Sequence, residues 1–162
     1  MHCAVICDIT KPKEVVNLVE ETEKICQEHN AKLWAVINNA GIAIGGPLDW
    51  IDLDIYRRVM EVNFFGHVNI TKHMLPLLKQ TKHSRVINLS SIAGQGCSAN
   101  LSAYGASKHA MEGFMKSARH ELAPWNIHVS NINPGFMRLV FVSTNDNLVM
   151  HCIIMVCDQE RV

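Results

Sequence analysis

Residues 33 to 41 read Leu33-Trp34-Ala35-Val36-Ile37-Asn38-Asn39-Ala40-Gly41. Leu33 to Ile37 is an apolar run of strand length, without polar alternation, as expected of a strand buried on both faces. It stops at two asparagines and a glycine, then enters a loop with Gly45-Gly46-Pro47. The same unit recurs on either side. Upstream, Ala4-Val-Ile-Cys7 ends at Asp8 and reads as a buried strand. Thr10 can cap a following helix, and Pro12 suits its first turn. Val15, Leu18, Val19, Thr22, Ile25 and Cys26 then keep helical spacing. Downstream, Asp52 to Gln80 is helical in pattern and apolar on more than one face, so it is covered on two sides. Arg85-Val-Ile-Asn-Leu89 is a strand, Ser102 to Ala123 a helix, and Asn126 to Ile132 a strand stopped by Asn133-Pro-Gly135. Strand and helix thus alternate four times, which predicts an α/β fold with a parallel sheet.

Residues 1–137 form this unit. The texture changes over 138–162, where two apolar runs, Leu139 to Val142 and Leu148 to Cys157, flank Ser-Thr-Asn-Asp-Asn. A hairpin and a poorly packed tail are both compatible with that divergent segment, and it carries no recognisable chemistry.

The chain has 162 residues, 48% hydrophobic and 19% charged, which fits one compact domain. Lys+Arg and Asp+Glu both number 15, so nothing marks a nucleic-acid surface. No apolar run approaches the ~20 residues of a membrane span. The N-terminus lacks the basic start and long apolar core of a signal peptide. The six cysteines form no Cys-x-x-Cys pair, and no Cys/His cluster has zinc spacing, so no metal site is expected. Cys3 and Cys7 read as buried thiols, and an intracellular, reducing compartment fits best. His2, His109 and His151 each stand alone.

In an open parallel sheet, ligands bind beyond the C-terminal strand ends. Asp8, Asn38 to Gly41, Ser90-Ser91 and Asn133-Pro134-Gly135 all fall there. Thirteen residues after Ser91 comes Tyr104-Gly-Ala-Ser-Lys108, a phenol and an ammonium on one helix face. Tyrosine titrates near ~10 in water, too high for efficient proton exchange at neutral pH. A neighbouring ammonium favours the phenolate, and the Ser91 hydroxyl can fix a substrate oxygen. Asn63 lies mid-helix in Glu61-Val-Asn-Phe-Phe-Gly66, where a buried amide needs partners. It can be a satisfied structural amide, or a link from Lys108 towards solvent.

Taken as a set, Asn38-Asn-Ala-Gly41, Asn63, Ser91, Tyr104-x-x-x-Lys108 and Pro134-Gly135 resemble a short-chain dehydrogenase/reductase. With Gly46-Pro-Leu-Asp-Trp50 and Met74-Leu-Pro-Leu77, the chain is most similar to the branch holding retinol, hydroxysteroid and 3-hydroxybutyrate dehydrogenases. The resemblance covers roughly residues 3 to 137. It implies a partial Rossmann-like, doubly wound parallel sheet and an NAD- or NADP-dependent oxidoreductase acting on a lipophilic alcohol or its carbonyl. It further implies that Tyr104 is the general acid/base and that Lys108 lowers its pKa and holds the nicotinamide ribose. Ser91 would orient the substrate oxygen and Asn63 complete a proton relay. Asp8 would contact the adenine, Asn39, Ala40 and Gly41 would line the cofactor, and Pro134 and Gly135 would flank the nicotinamide.

Two departures qualify that expectation. Family members begin with a strand and Thr-Gly-x-x-x-Gly-x-Gly, whose backbone receives the pyrophosphate; the sequence contains no such motif. The chain is therefore expected to lack the first two family strands, as a splice variant or incomplete gene model would, and to leave an exposed strand edge. After Gly135, Phe136-Met-Arg-Leu-Val140 does not follow the family pattern, and Thr144 is too far on to match. Helices 52–80 and 102–122 would serve a homo-oligomer. An inactive truncated form that only pairs with other subunits is the alternative reading.

Overall fold

The computed structural model describes residues 4–135 and the backbone of residues 153–158. In chain order these comprise α1 (Pro12–Glu28), β1 (Lys32–Asn38), α2 (Leu53–Met60), a π-helical segment (Glu61–Gly66), α3 (His67–Leu78) and β2 (Arg85–Leu89). A 3-10 turn (Ile92–Gly94), α4 (Ser102–Leu122), a second 3-10 turn (Ala123–Trp125), β3 (His128–Ile132) and β4 (Ile153–Asp158) follow. The sheet order is β3-β2-β1-β4. β1 pairs with β2, and β2 with β3, in parallel; β4 joins β1 antiparallel. The α/β class and the parallel sheet expected from the sequence are present.

Burial alternates along the strands. In β2, Val86 and Asn88 are buried while Arg85, Ile87 and Leu89 are half-buried. In β3, Val129 is buried while Ile132 is 48% exposed. The buried face meets α3 and α4: Asn38 bonds Thr71 of α3, and Asn88 meets Met111 of α4. Leu18, Leu33, Ile70, Met74, Leu78, Met111 and Met115 form the centre of the core, each at most 2% exposed. Apolar positions at helical spacing on α1, α3 and α4 thus close over one sheet face.

Three expectations are corrected. Ala4 to Cys7 is not a strand: it is irregular, and Ile6 is 97% exposed. Beside β1 both places are taken, by β2 and β4. Cys7 is only half-buried, although burial, with the Glu14 and Asp8 charges, pushes its thiol up to about 11. Thr10 does not cap α1. Its hydroxyl donates to Asp8 Oδ1 at 2.7 Å, and the N-cap residue is Lys11, with no side-chain cap bond. Asp52 to Gln80 is helical as expected, with a π turn around Asn63.

The exposed edge expected on the sheet is not on β1, because β4 covers it, with Asn38 opposite Ile153 and Lys32 opposite Asp158. β4 comes from the second apolar run of the tail; the first, Leu139 to Val142, lies outside the described residues, as does Cys3. Among the described residues, no helix is long and apolar enough to cross a membrane.

Candidate active site

The C-terminal end of β1 is tied down by amides. Asn38 Nδ2 donates to Thr71 Oγ1 at 3.0 Å and to Asn88 Oδ1 at 2.7 Å. Asn38, Asn88 and Asn131 are in register across three parallel strands. Asn39 is half-buried; Ala40 is 2% exposed, and its carbonyl accepts from His67 Nε2 at 2.8 Å. His67 is itself buried, and its pKa is lowered to about 3, first by burial and then by the Lys108 charge, against the opposing Ala40 bond. The imidazole is therefore neutral at pH 7.

The π segment turns Asn63 inward, fully buried. Its Oδ1 accepts from Ile42 N at 2.9 Å, and its Nδ2 donates to Ile42 O at 2.9 Å and to Ser107 Oγ at 3.0 Å. Ser107 Oγ in turn donates to the Tyr104 carbonyl at 2.7 Å. One amide thus pins the loop after Gly41 and, through Ser107, the turn of α4 that bears Tyr104. The wider turn has a physical reason, because both ends of the Asn63 amide are satisfied by backbone and hydroxyl groups of other elements.

Lys108 is the buried cation of the group, at 4% exposure. Nζ donates to the Leu89 carbonyl at the end of β2 at 2.8 Å and lies 5.7 Å from the Tyr104 ring centroid. Burial lowers its pKa to about 8. Gly41 faces it: a Cβ there would stand 3.5 Å from Asn63 Oδ1 and 3.9 Å from Lys108 Nζ. A methyl group there would make ordinary contact with both.

Ser91 follows β2 in extended conformation and caps the 3-10 turn, its Oγ accepting from Ala93 N at 3.1 Å. The Pro134 carbonyl accepts from Ile92 N at 3.1 Å, so the Pro134-Gly135 loop lies against the Ser91 turn. Gly135 is exposed, at the end of the described stretch. Asp8 stands apart, before α1. Its Oδ1 accepts from Thr10 N at 3.0 Å as well as from the Thr10 hydroxyl, and its own N–H donates to Glu14 Oε2 at 2.6 Å. The next residue, Ile9, packs so closely on Gly66 that a Cβ there would lie 2.6 Å from Ile9 Cδ1.

The structure therefore places Ala40, Gly41, Asn63, Tyr104 and Lys108 close to one another, with Ser91 and Pro134 on a neighbouring turn. Asn38, His67 and Ser107 belong to this group as supports and were not singled out as such from the sequence. His67 lies four residues beyond Asn63 in a helix otherwise rich in apolar residues, and that spacing was the available signal.

Comparisons with known proteins agree with this geometry. The sequence profile of the short chain dehydrogenases matches residues 2–147. The chain belongs to the short-chain dehydrogenase family. It is 40% identical over 141 residues to human 17-beta-hydroxysteroid dehydrogenase type 2, covering 86% of this chain and 35% of that protein. To human retinol dehydrogenase 5 it is 40% identical over 134 residues, covering 82% and 41%. The chain thus spans well under half the length of these relatives. Among solved structures, an NAD+-bound xylitol dehydrogenase superposes with TM-score 0.75 and 28% identity, covering 84% of this chain and 51% of that one. The Pseudomonas aeruginosa RhlG/NADP active-site complex gives TM-score 0.77 and 26% identity, covering 83% and 53%. Both are NAD- or NADP-associated family folds.

Proposed function

We propose that the chain carries the proton-handling half of an NAD- or NADP-dependent oxidoreductase site that interconverts an alcohol and its carbonyl. The observation that carries this reading is the placement of Lys108, buried under Tyr104 and facing the bare α-carbon of Gly41. In this reading the Tyr104 phenol gives a proton to the substrate oxygen, or takes one from it. The Lys108 ammonium lies 5.7 Å from the centroid of that ring. The Ser91 hydroxyl orients the substrate oxygen. Asn63 and Ser107 hold the Tyr104 turn against the loop after Gly41, the Asn63 amide being spent on Ile42 and Ser107.

The dinucleotide, when bound, supplies or accepts the hydride. Asn39, Ala40, Gly41, Tyr104, Lys108, Pro134 and Gly135 would hold its nicotinamide end. Asp8 would contact the adenine, although its carboxylate already accepts two bonds from Thr10. The pyrophosphate is assigned no contact, since the sequence has no Thr-Gly-x-x-x-Gly-x-Gly turn.

The substrate class we favour is a lipophilic primary or secondary alcohol of steroid or retinoid type, with a hydroxy acid as the polar option. The names of the two relatives support it, as does Ile92, 46% exposed beside Ser91. Phe65, 52% exposed and edge-on to Phe64, which meets Phe114 of α4, supports pairing of two copies through these helices. The free thiols Cys7 and Cys97 suit an intracellular, reducing compartment.

The test is turnover of the full chain with NAD+ or NADP+ and a steroid alcohol, a retinoid alcohol and a hydroxy acid, followed by absorbance of the reduced cofactor. Tyr104→Phe is expected to lower turnover at least ~100-fold; equal rates in wild type and Tyr104→Phe would overturn the reading. A second reading, an inactive partner of complete subunits, is favoured by β4 lying antiparallel along β1. It expects no saturable NADH fluorescence at micromolar chain and co-purification with a full-length family member. Micromolar NADH affinity would sink it.

A further inference from the structure

We propose that Gly94, Ser90 and Glu112 form a latch that fixes the Ser91 hydroxyl on the turn of α4 carrying Lys108. The inference deepens the reading above, in which Ser91 orients the substrate oxygen. The turn Ile92–Gly94 is closed on itself by Gly94 N–H donating to the Ser91 carbonyl at 2.9 Å and by Ala93 N–H donating to Ser91 Oγ at 3.1 Å. On one side it rests on the Pro134 carbonyl. On the other it meets α4 at Gly94. A Cβ on Gly94 would fall 2.9 Å from Ser90 Oγ, 3.1 Å from Glu112 Cγ and 3.1 Å from the Lys108 carbonyl. Only a residue without a side chain lets the turn approach that closely.

The polar groups around this contact are unspent. Ser90 is 5% exposed, and its Oγ has no hydrogen-bond partner; Glu112 Oε1 is equally shut off from solvent and has none. A hydroxyl that can donate and a carboxylate oxygen that can only accept therefore border the same glycine. Leaving both unmade is costly, and a small side-chain rotation or one bridging water satisfies them together. Glu112 lies one helical turn beyond Lys108, which lies one turn beyond Tyr104. A latch closed at Glu112 thus sets the Ser91 turn in register with the Tyr104–Lys108 stripe. Ser90 and Glu112 act as positioning residues through Ser91.

The experiment is native-state amide hydrogen exchange on the full chain, comparing Ile92, Ala93 and Gly94 with core amides of α1 and α3. Ser90→Ala and Glu112→Leu are each expected to speed exchange at the turn about tenfold without speeding the core amides, a local opening rather than global unfolding. Glu112→Gln, which keeps an acceptor, is expected to retain wild-type protection, and the Ser90→Ala/Glu112→Leu double variant to be no faster than either single one. Unchanged exchange at the turn, or uniform acceleration along the chain, overturns the latch. Gly94→Ala wedges the contact open, and if it fails to fold, the three milder variants decide alone. In the activity assay, Glu112→Leu is expected to lower kcat while leaving KM for the dinucleotide unchanged. A wild type without turnover but with turn-selective exchange would refute the enzymatic reading and leave the latch standing.

Discussion

Replacing Lys108 by methionine should stabilise the chain at neutral pH and destabilise it at high pH. Lys108 is 4% exposed, and burial alone lowers its pKa from 10.5 to about 8. At ~1.4 kcal/mol per pH unit, holding the ammonium in the folded chain costs about 3 kcal/mol. Between pH 8 and 10.5 the unfolded chain keeps the proton that the folded chain has lost, so raising the pH through this window favours folding. The penalty is complete below that window and gone above it. Methionine fills similar volume without charge, but it leaves the Leu89 carbonyl without its 2.8 Å donor, a loss of about 1–2 kcal/mol. The net expectation is Lys108→Met more stable than wild type by about 1–2 kcal/mol at pH 7 and less stable by about 1 kcal/mol near pH 10.5. Urea unfolding of both proteins at the two pH values measures the difference and cancels the titration of groups that do not sense Lys108. A gap that keeps its sign and size across that range would refute the assignment of the cost to a buried proton.

His67 should make the fold acid-sensitive. Its folded pKa of about 3 lies below the ordinary 6.5, so the unfolded chain takes up the proton first as pH falls, and stability drains away between those values. The full loss is about 5 kcal/mol. His67→Gln retains an N–H for the Ala40 carbonyl and should flatten the dependence between pH 7 and 4 in urea melts; an imidazole titrating near ~6.5 by NMR would contradict this. Asn63→Leu strands the Ile42 N–H and carbonyl and removes a donor from Ser107, and should cost about 2–4 kcal/mol. A loss below ~1 kcal/mol in the same unfolding assay would show that water replaces the amide.

Much of this site is legible in the sequence because its key groups lie where regular elements end. Gly41, Ser91 and Pro134 follow strands, and the four-residue step from Tyr104 to Lys108 follows from helix geometry alone. What was not legible depends on pairing between distant segments. Ala4 to Cys7 has strand composition, yet the place beside β1 is held by β4, a segment some 120 residues after β1. Thr10 has the chemistry of a cap, yet Asp8, two residues away, competes for its hydroxyl. Asn63 reads as an isolated polar residue until the π turn brings its amide to Ile42 and Ser107. His67 and Ser107 carry no motif; they matter through the atoms they reach.

Two basic side chains buried in one network raise the question of which holds the proton. His67 supports Ala40, Lys108 faces Gly41 next in the chain, and both lose solvation. The lysine starts with the higher proton affinity and stays largely protonated at pH 7, with its pKa at about 8. Its charge is then the second cause, after burial, that drives the imidazole proton off. The site thus keeps one positive charge, on Lys108 facing Gly41 and 5.7 Å from the Tyr104 ring centroid, and none on His67. This coupling has a consequence separate from stability. In Lys108→Met the imidazole loses the like charge but not the burial, so its titration should move up towards neutral pH without reaching the ordinary 6.5. The His67 ring protons, followed by NMR in wild type and Lys108→Met, report this directly. An imidazole that titrates identically in the two proteins would mean that burial alone keeps His67 neutral and that the two bases do not sense one another.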